Sequence, residues 1–448
     1  MEQNSYADAW TRLLSDRRVK IAGDAVAFVP GCVPGDSRSP FEVDYQRVVF
    51  ASPFRRLARK TQVHPFAEVD HIHNRLTHSL EVASVGLSLA KRVGEFLVAR
   101  GDVTRGQADA ICWIVQAAGL AHDIGNPAYG HSGEQAIQSW AEGRRDKLDD
   151  DPVWTDFRVF DGNAQAFRLL ARSDTRPTAY FRFTLASLGA LVKHPRLASS
   201  FKDDPGSERK LAAFTSEENL FRKIWQEMGL VRADGGTFMR HPLSFLTEAA
   251  DDICYRILDF EDAVTLDIFP HDEIADLFRK LLPEADRARS VGMTLQWLRA
   301  RAIHDLIRAF AEQFESHYDE IMSGSFSGEL KDLLEGETRS AFAEIKARYA
   351  VLFANHRKVI AEIGSYGQFA LILDHYHGFL QTLPAEGGAP ALADLPALHR
   401  HLVQLAWDAN YYEANRDKPR AWWAHAVLDF VSGMTDDYLN ALARRLGK

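Results

Sequence analysis

Cysteine is scarce in this chain of 448 residues, which has three: Cys32, Cys112 and Cys254. Their odd number and irregular spacing argue against a disulfide framework and against a zinc site with thiolate ligands. The chain also lacks any apolar run near the roughly 20 residues that a membrane-spanning helix needs. Met1 is followed by polar residues instead of a basic and then an apolar stretch, so we expect no secretory signal. Together these absences predict a reduced, cytoplasmic protein with no membrane association.

An excess of positive charge is absent as well. The 53 Lys and Arg residues are outnumbered by 62 Asp and Glu residues, and the formal net charge is −9. This balance argues against wholesale binding of nucleic acid or of an anionic membrane. The net charge does not exclude a local basic groove, for which Arg55, Arg56, Arg59 and Lys60 are candidates. A solvated helix face is the simpler interpretation of that cluster.

Strand patterns are few, and from Phe41 onward apolar residues recur at helical spacing, which predicts an all-α fold. Val26–Val29 and the region Thr237–Met239 are the two places where the pattern suits small β-hairpins. The predicted helices include a short one within 1–20 and longer ones over 44–60, 242–264 and 328–380. We expect an N-terminal helix and irregular arm over 1–49, a catalytic core over 50–265, and a C-terminal helical lobe over 266–448 that packs on the core.

A neighbouring histidine and aspartate, His122 and Asp123, end an apolar run from Ala110 to Leu120 that has the pattern of a buried helix. Burying an imidazole beside a carboxylate is costly unless something compensates. A divalent cation would compensate, since nitrogen and oxygen donors are a common mixed ligand set. Such a short motif is weak by itself, so the hypothesis of a metal site depends on finding further ligands.

Two other segments supply candidate ligands. His78 lies in the first turn of a predicted helix that is apolar over much of its circumference, although a histidine there is more often just hydrogen-bonded. Asp251 lies within 242–264, where polar residues recur at i, i+3 and i+4 and form one stripe between apolar flanks: Glu248, Asp251, Tyr255, Asp259 and Asp262. Two adjacent ionised carboxylates, Asp251 and Asp252, repel each other, which is unfavourable unless positive charges lie nearby.

His78, His122, Asp123 and Asp251 thus make a set of two imidazoles and two carboxylates. This set fits a hard or borderline divalent ion such as Mn²⁺ or Mg²⁺, with Fe and Co as further candidates. Such an ion keeps open positions for water and for a phosphate oxygen. The donor set therefore points to metal-assisted phosphate chemistry.

These motifs resemble those of the HD-domain phosphohydrolases, and among them the deoxynucleoside triphosphate (dNTP) triphosphohydrolases of the bacterial dGTPase branch. The segments that carry the resemblance run in the family's order along most of the chain: Phe54–Leu57, Lys60–Val63, Arg75–Val82, His122–Glu134, Phe160–Gln165, Thr184–Leu188, Glu248–Tyr255, Leu258–Asp262 and Asp429–Asp436. The resemblance implies hydrolysis of a dNTP, dGTP in the first place, at the α-phosphorus. The products would be a deoxynucleoside and inorganic triphosphate.

The resemblance also implies a role for individual residues. The metal ligands would be His78, His122, Asp123 and Asp251, the last in preference to Asp252. His131 and Glu134 would be the catalytic pair, in which Glu134 orients the imidazole and His131 handles a proton. The substrate contacts would be Gln62 and Asp259 on the sugar 3′-hydroxyl, Arg75, Lys193 and Tyr255 on the phosphates, and Asn126 and Asn163 beside them. Tyr255 would also reject ribonucleotides sterically at C2′.

From the residues alone, Ser132 and Gln135 have the spacing of a capping box at the start of the helix that holds this pair. The resemblance further implies a homo-oligomer, often a hexamer in this family, in which a dNTP or single-stranded DNA sometimes acts as an effector.

Two other functions stay open at this stage. One is an HD phosphohydrolase that acts on a deoxynucleoside monophosphate or an alarmone. The other is a non-catalytic protein that binds a nucleotide or single-stranded DNA, against which the presence of both His131 and Glu134 argues, because binding alone needs no proton-transfer pair.

Overall fold

Helices build most of the described chain. The computed structural model describes residues 6–22, 25–63, 72–148, 151–172, 181–201, 210–232 and 236–447. The α-helices are α1 (Ala7–Leu13), α2 (Pro40–Phe50), α3 (Ser52–Arg56), α4 (Arg75–Arg100), α5 (Arg105–Ala121), α6 (His131–Glu142), α7 (Val153–Arg158), α8 (Gly162–Ala171), α9 (Leu185–Leu191), α10 (Glu218–Glu227), α11 (Pro242–Thr265), α12 (His271–Lys280), α13 (Glu284–Arg287), α14 (Leu295–Ser316), α15 (Tyr318–Ser323), α16 (Gly336–Phe353), α17 (His356–Leu380), α18 (Ala397–Ala406), α19 (Ala409–Ala414), α20 (Arg420–Ser432) and α21 (Asp436–Leu446). The strands β1 (Arg18–Ala22) and β2 (Ala25–Val29) pair antiparallel.

The prediction of an all-α fold is confirmed, because the β1–β2 hairpin is the one sheet in the described part of the chain. This hairpin contains the predicted strand Val26–Val29. The region Thr237–Met239 forms a single bridge between Val231 and Phe238 instead of a hairpin, and residues 233–235 lie outside the described residues. Within the described ranges, no helix combines the length and apolar character that crossing a bilayer requires.

The short helix predicted within 1–20 is α1, Ala7–Leu13, after which the chain enters β1. Two of the longer predicted helices have the wrong bounds. The segment 44–60 divides into α2 and α3 at Ala51, which is extended ahead of Pro53, as expected where proline interrupts helical hydrogen bonding. The segment 328–380 includes α16 and α17, which end and begin around Ala354.

Buried apolar side chains form two clusters. The first cluster extends from Trp10 to Leu352 and has α4, α5, α11 and α14 at its centre, so it draws on all three predicted segments. The second cluster joins α6 and α7 to α17 and to the helices after it. The break before α17 lets the chain pass from the first cluster to the second. The division of the chain at 49 and 265 stays a prediction.

Local capping determines where the two site-bearing helices begin. Asn74 accepts hydrogen bonds from the backbone N–H groups of Leu76 and Thr77, and Thr77 Oγ1 accepts one from Asn74 N in return. This capping box starts α4 at Arg75, which leaves His78 within its first turn. Pro242 opens α11, as predicted, where its missing N–H costs nothing.

The cap of α11 is His241, which is buried and uses both ring nitrogens. Nε2 lies 3.0 Å from the carbonyl oxygen of Leu13 and must donate to it, so Nδ1 accepts from Leu243 N at 3.1 Å. A second proton on the ring would face the Leu243 N–H group. Burial accordingly lowers the pKa of His241 from 6.5 to about 4.

We expect His241 to make the free energy of unfolding depend on pH. The folded state binds fewer protons than the unfolded state between pH 6.5 and about 4, so stability is complete above this window and is lost as the pH falls through it. The loss approaches roughly 3 kcal/mol at ~1.4 kcal/mol per unit. Urea unfolding at several pH values should show a flatter pH dependence in His241→Asn and an unchanged one in the exposed control His271→Asn. An unchanged slope in His241→Asn would contradict this assignment.

Candidate active site

Four buried or half-buried side chains meet between α4, the end of α5 and α11. His78, His122 and Asp123 each offer a donor atom, and these atoms lie within 4.8 Å of one another. Asp251 joins them, since its Oδ1 lies 3.1 Å from His78 Nε2 and 3.6 Å from His122 Nε2. The structure thus brings together the four residues that the sequence predicts as metal ligands.

His122 has the orientation of a metal ligand. Its Nδ1 lies 2.7 Å from the carbonyl oxygen of Gly119, which can only accept, so Nδ1 carries the proton and Nε2 carries a lone pair. Nε2 is buried and has no hydrogen-bond partner among the described residues. Burial also lowers the pKa of His122, which keeps the ring neutral. A buried lone pair beside two carboxylates is a fit for a divalent cation.

The adjacent carboxylates of Asp251 and Asp252 pair with different Lys and Arg side chains. Lys193 Nζ donates to Asp251 Oδ2, while Asp252 Oδ1 pairs with Arg256 and lies 3.3 Å from Lys331 Nζ. Burial opposes the charge of Asp251, but Lys193 and the nearby histidines hold its pKa well below the usual range. The positive side chains therefore offset the repulsion between the two carboxylates, and Asp251 faces the two histidines as an anion.

Asp123 is held by two residues of the expected substrate site. Arg75 NH1 lies 2.8 Å from Asp123 Oδ2, and the side-chain amide of Asn126 donates to Oδ1. Burial opposes the charge, but the Arg75 guanidinium lowers the pKa of Asp123 to about 2. This aspartate is ionised at every physiological pH.

His131 and Glu134 form a hydrogen-bonded pair in the first turn of α6. Nδ1 of His131 lies 2.7 Å from Glu134 Oε2, so this nitrogen donates and Nε2 is left free for a substrate. The His131 side chain is 73% exposed, whereas Glu134 is buried. The predicted capping box of Ser132 and Gln135 is wrong, because α6 begins after Gly130 with no side-chain cap.

Glu134 is fixed from its other side by the start of α8. Its Oε1 accepts a hydrogen bond of 2.7 Å from Gly162 N. A Cβ at position 162 would lie 2.3 Å from Asn126 Oδ1 and 3.0 Å from Glu134 Oε1, so only glycine allows this approach. Burial opposes the charge of Glu134, but His131 and Gly162 lower its pKa. The carboxylate is thus held ready to orient the imidazole.

A cavity of about 730 Å³ connects the histidine and aspartate group with the His131–Glu134 pair. Six of the seven predicted substrate contacts line it. These six are Gln62, Arg75, Asn126, Asn163, Lys193 and Tyr255. The seventh residue, Asp259, is buried and is not part of the lining.

Asp259 lies behind a stacked pair of tyrosines. The rings of Tyr255 and Tyr349 are parallel within 5°, with centroids 4.7 Å apart. The hydroxyl of Tyr349 donates to Asp259 Oδ2 and to the Tyr255 carbonyl oxygen, each at 3.0 Å. Burial raises the pKa of Asp259 to about 7. Tyr349 therefore braces the wall of the cavity that Tyr255 presents.

Several lining residues were missed by sequence reasoning. Lys210 lies near Glu134, and Phe353, Lys358 and Glu362 come from the end of α16 and the first turns of α17. Neither spacing nor a motif connects these residues to the histidine and aspartate motif.

Lys60, which the sequence analysis assigned to a surface cluster, is buried. It is 2% exposed and donates to the carbonyl oxygens of Asn126 and Ser432.

Comparisons with known proteins agree with this arrangement. The HD domain model matches residues 75–193. A deoxyguanosinetriphosphate triphosphohydrolase-like protein of Pseudomonas aeruginosa is 35% identical over 433 residues, which cover 91% of this chain and 93% of the relative. The chain belongs to the HD-domain dGTPase family. A like-named protein of Synechocystis is 33% identical over 91% of the chain and 94% of its own length. A deoxyguanosinetriphosphate triphosphohydrolase of Yersinia pseudotuberculosis is 29% identical over 91% and 93%.

The segment that the HD domain model matches contains three of the four members of the central group. It starts at Arg75 and stops at Lys193, both of which contact carboxylates of that group. Asp251, the fourth member, lies beyond the match on α11.

We expect Asp251 and Asp252 to differ sharply in their effect on metal binding. Titration of Mn²⁺ into the protein, followed by electron paramagnetic resonance of the free ion, should show a large loss of affinity in Asp251→Asn. The loss should exceed the roughly 10–100-fold that removal of a ligand's supporting partner costs. The matched control Asp252→Asn keeps the group intact and should bind as the wild type does. Equal affinities in the two variants would rule out Asp251 as a ligand.

Proposed function

We propose that the chain is a metal-dependent dNTP triphosphohydrolase that acts on dGTP, and that it hydrolyses the α-phosphorus to release a deoxynucleoside and intact inorganic triphosphate. The observation that carries the proposal is the shared cavity, with the buried histidine and aspartate group on one side and the His131–Glu134 pair on the other. The names of the relatives support the same activity.

His78, His122, Asp123 and Asp251 would hold Mn²⁺ or Mg²⁺. When bound, such a cation supplies positive charge for a phosphoryl oxygen and makes water more acidic. The chain itself supplies the geometry, since Gly119 orients His122 and Lys193 orients Asp251 before any ligand arrives. Sites that are oriented in advance spend no reorganisation energy during the reaction.

His131 would handle a proton at Nε2. Glu134 holds the proton on Nδ1, which leaves the lone pair of Nε2 in the cavity. In this tautomer the imidazole accepts a proton from water or, once protonated, donates one to the leaving oxygen of the sugar. A buried carboxylate also stabilises the imidazolium that forms in between.

Arg75, Lys193 and Lys210 would neutralise the triphosphate. All three line the cavity beside the central group or Glu134. Phosphoryl transfer depends mainly on positioning and on charge stabilisation, which cationic side chains provide. Lys210 is the member of this set that the resemblance did not imply.

The tyrosine wall would recognise the sugar. Tyr255 presents one face to the cavity and is supported on the other by Tyr349. Because Tyr349 supports the ring of Tyr255, this part of the cavity wall is rigid. A 2′-hydroxyl on the bound sugar would clash with it. Gln62 lies in the same cavity, and its Oε1 is buried without a partner among the described residues, which suits a sugar hydroxyl as donor. The homo-oligomer and the dNTP or single-stranded DNA effector stay predictions.

The activity is tested by product analysis with each dNTP and each rNTP in the presence of Mn²⁺ or Mg²⁺. We expect inorganic triphosphate and deoxynucleoside from dGTP, resolved by ion-exchange and reversed-phase chromatography. In parallel incubations, release of inorganic phosphate from a deoxynucleoside monophosphate or of pyrophosphate from an alarmone would favour a different HD phosphohydrolase. Nucleotide binding without any product would favour a binding protein.

His131→Ala should reduce kcat by about 10²–10⁴-fold, because positioned proton transfer contributes this much. Affinity for Mn²⁺ should stay unchanged, since His131 is not part of the central group. His271→Ala, a substitution of another exposed histidine, is the matched control. Unaltered turnover in His131→Ala would remove this residue from the mechanism.

Tyr255→Ala should raise turnover of rGTP relative to dGTP by roughly 10–200-fold, the range that a single steric clash in a pocket supplies. Tyr349→Phe removes the hydroxyl that binds Asp259 but preserves the stacked ring, so its selectivity should stay near that of the wild type. The ratio of kcat/KM for the two nucleotides measures both effects. A constant ratio in Tyr255→Ala would assign the selectivity elsewhere.

A further inference from the structure

The segment Asp429–Asp436, between the last turn of α20 and the start of α21, contacts the active-site region at three places. Asp429 Oδ1 accepts hydrogen bonds from Arg168 Nε at 2.9 Å and from Gln165 Nε2 at 2.8 Å, both on α8. The carbonyl oxygen of Ser432 accepts one from the buried Lys60 at 2.8 Å. Asp436 makes the third contact, and none of these residues takes part in the proposed chemistry.

Asp436 is 5% exposed and receives three hydrogen bonds from two distant loops. Its Oδ2 accepts from the backbone N–H of Thr61 at 2.9 Å and from the Thr61 hydroxyl. Its Oδ1 accepts from the backbone N–H of Tyr129 at 3.0 Å. One carboxylate therefore ties residue 61 to residue 129.

Both loops carry residues of the cavity directly beside these contacts. Thr61 precedes Gln62, and Tyr129 stands two residues before His131. Tyr129 has φ 59° and Gly130 has φ 57°, so the chain enters α6 through two successive left-handed residues. A tyrosine adopts this conformation only where its surroundings hold it. The hydrogen bond from Tyr129 N to Asp436 is such a restraint.

The two loops also belong to different apolar clusters. Leu57 and Val63, on either side of Thr61, are buried in the first cluster with α4, α5 and α11, whereas Tyr129 and α6 belong to the second. The histidine and aspartate group lies on the first cluster and His131 on the second. Lys60 makes a parallel connection, because it donates to Asn126 and to Ser432. The segment Asp429–Asp436 thus connects the two halves of the active site by hydrogen bonds.

We propose that Asp436 is a positioning residue that sets the place of His131 relative to the histidine and aspartate group. This inference rests on the proposed function insofar as His131 is the residue that acts. In Asp436→Asn an N–H₂ group replaces one oxygen. Whichever way the amide turns, its NH₂ group faces the backbone N–H of either Thr61 or Tyr129, so one of these two backbone hydrogen bonds is lost.

The first experiment compares Asp436→Asn with the neighbouring Asp437→Asn, whose carboxylate is exposed. We expect kcat for dGTP to fall by about 10²-fold in Asp436→Asn, the effect of a misplacement near 1 Å. Mn²⁺ affinity should change by less than about threefold, because the histidine and aspartate group does not depend on the position of His131. Asp437→Asn should behave as the wild type. An equal kcat in the two variants would overturn the inference.

A double-mutant cycle separates positioning from a general structural effect. In a His131→Ala background, Asp436→Asn should cause little further loss, because residues that act through one group are not additive. A full additional loss would overturn the inference. Thr61→Val, which removes one hydrogen bond but keeps the carboxylate, is the alternative if Asp436→Asn does not fold, and we expect it to lower kcat in the same direction.

Hydrogen exchange provides a readout that does not depend on activity. Amides of residues 128–131 should exchange faster in Asp436→Asn than in the wild type or Asp437→Asn, while those in the middle of α5 stay unchanged. Absence of triphosphate release in the wild type would refute the proposed function, and the exchange pattern would then still test the restraint. Unchanged exchange at 128–131 would refute the restraint itself.

Discussion

The structure depends on the burial of ionisable side chains around one point. Two imidazoles and two carboxylates from α4, the end of α5 and α11 converge inside an apolar cluster, where an uncompensated charge is expensive. Each is compensated locally: His78 by Asp251, His122 by the Gly119 carbonyl oxygen, Asp251 by Lys193, and Asp123 by Arg75. Because these partners neutralise and orient the group in advance, the same contacts that make burial tolerable also shape a site for a cation.

The catalytic geometry follows from packing one cluster against another. The central group is rigid because its helices are long and buried, whereas His131 enters from α6 on the second cluster. The hydrogen bonds from Thr61 to Asp436 cross this boundary, whereas those from Gly162 to Glu134 and from Tyr129 to Asp436 position α6 within the second half. A short stretch near the end of the chain therefore contributes to a site whose chemistry resides in the first 260 residues.

Much of the helical class and of the site was accessible from residue patterns. The period of the apolar residues indicated helices, and the stripe on 242–264 correctly brought Asp251 and Tyr255 to one face. Asp259 shared the stripe but does not line the cavity, because Tyr349 from α16 covers it. The break before α17 and the start of α6 after Gly130 were missed. Asn355 and Gly130 are residue types favoured at helix N-caps, but the helical period was followed through the first, and Ser132 with Gln135 was taken as a capping box after the second.

The sequence by itself determined the family, the helical class and the residue types available for metal and proton chemistry, because these are written in local motifs and in helical periodicity. Only the tertiary structure decided which cation accompanies which carboxylate, that Tyr349 supports Tyr255, and that Lys60 is buried instead of lying on a basic surface. The pairings of Lys193, Tyr349 and Lys60 join residues 58 to 372 positions apart, whereas Arg256 lies four residues after Asp252 on the same helix. No local pattern encodes contacts of the longer range, because they arise only when distant segments of the chain pack together.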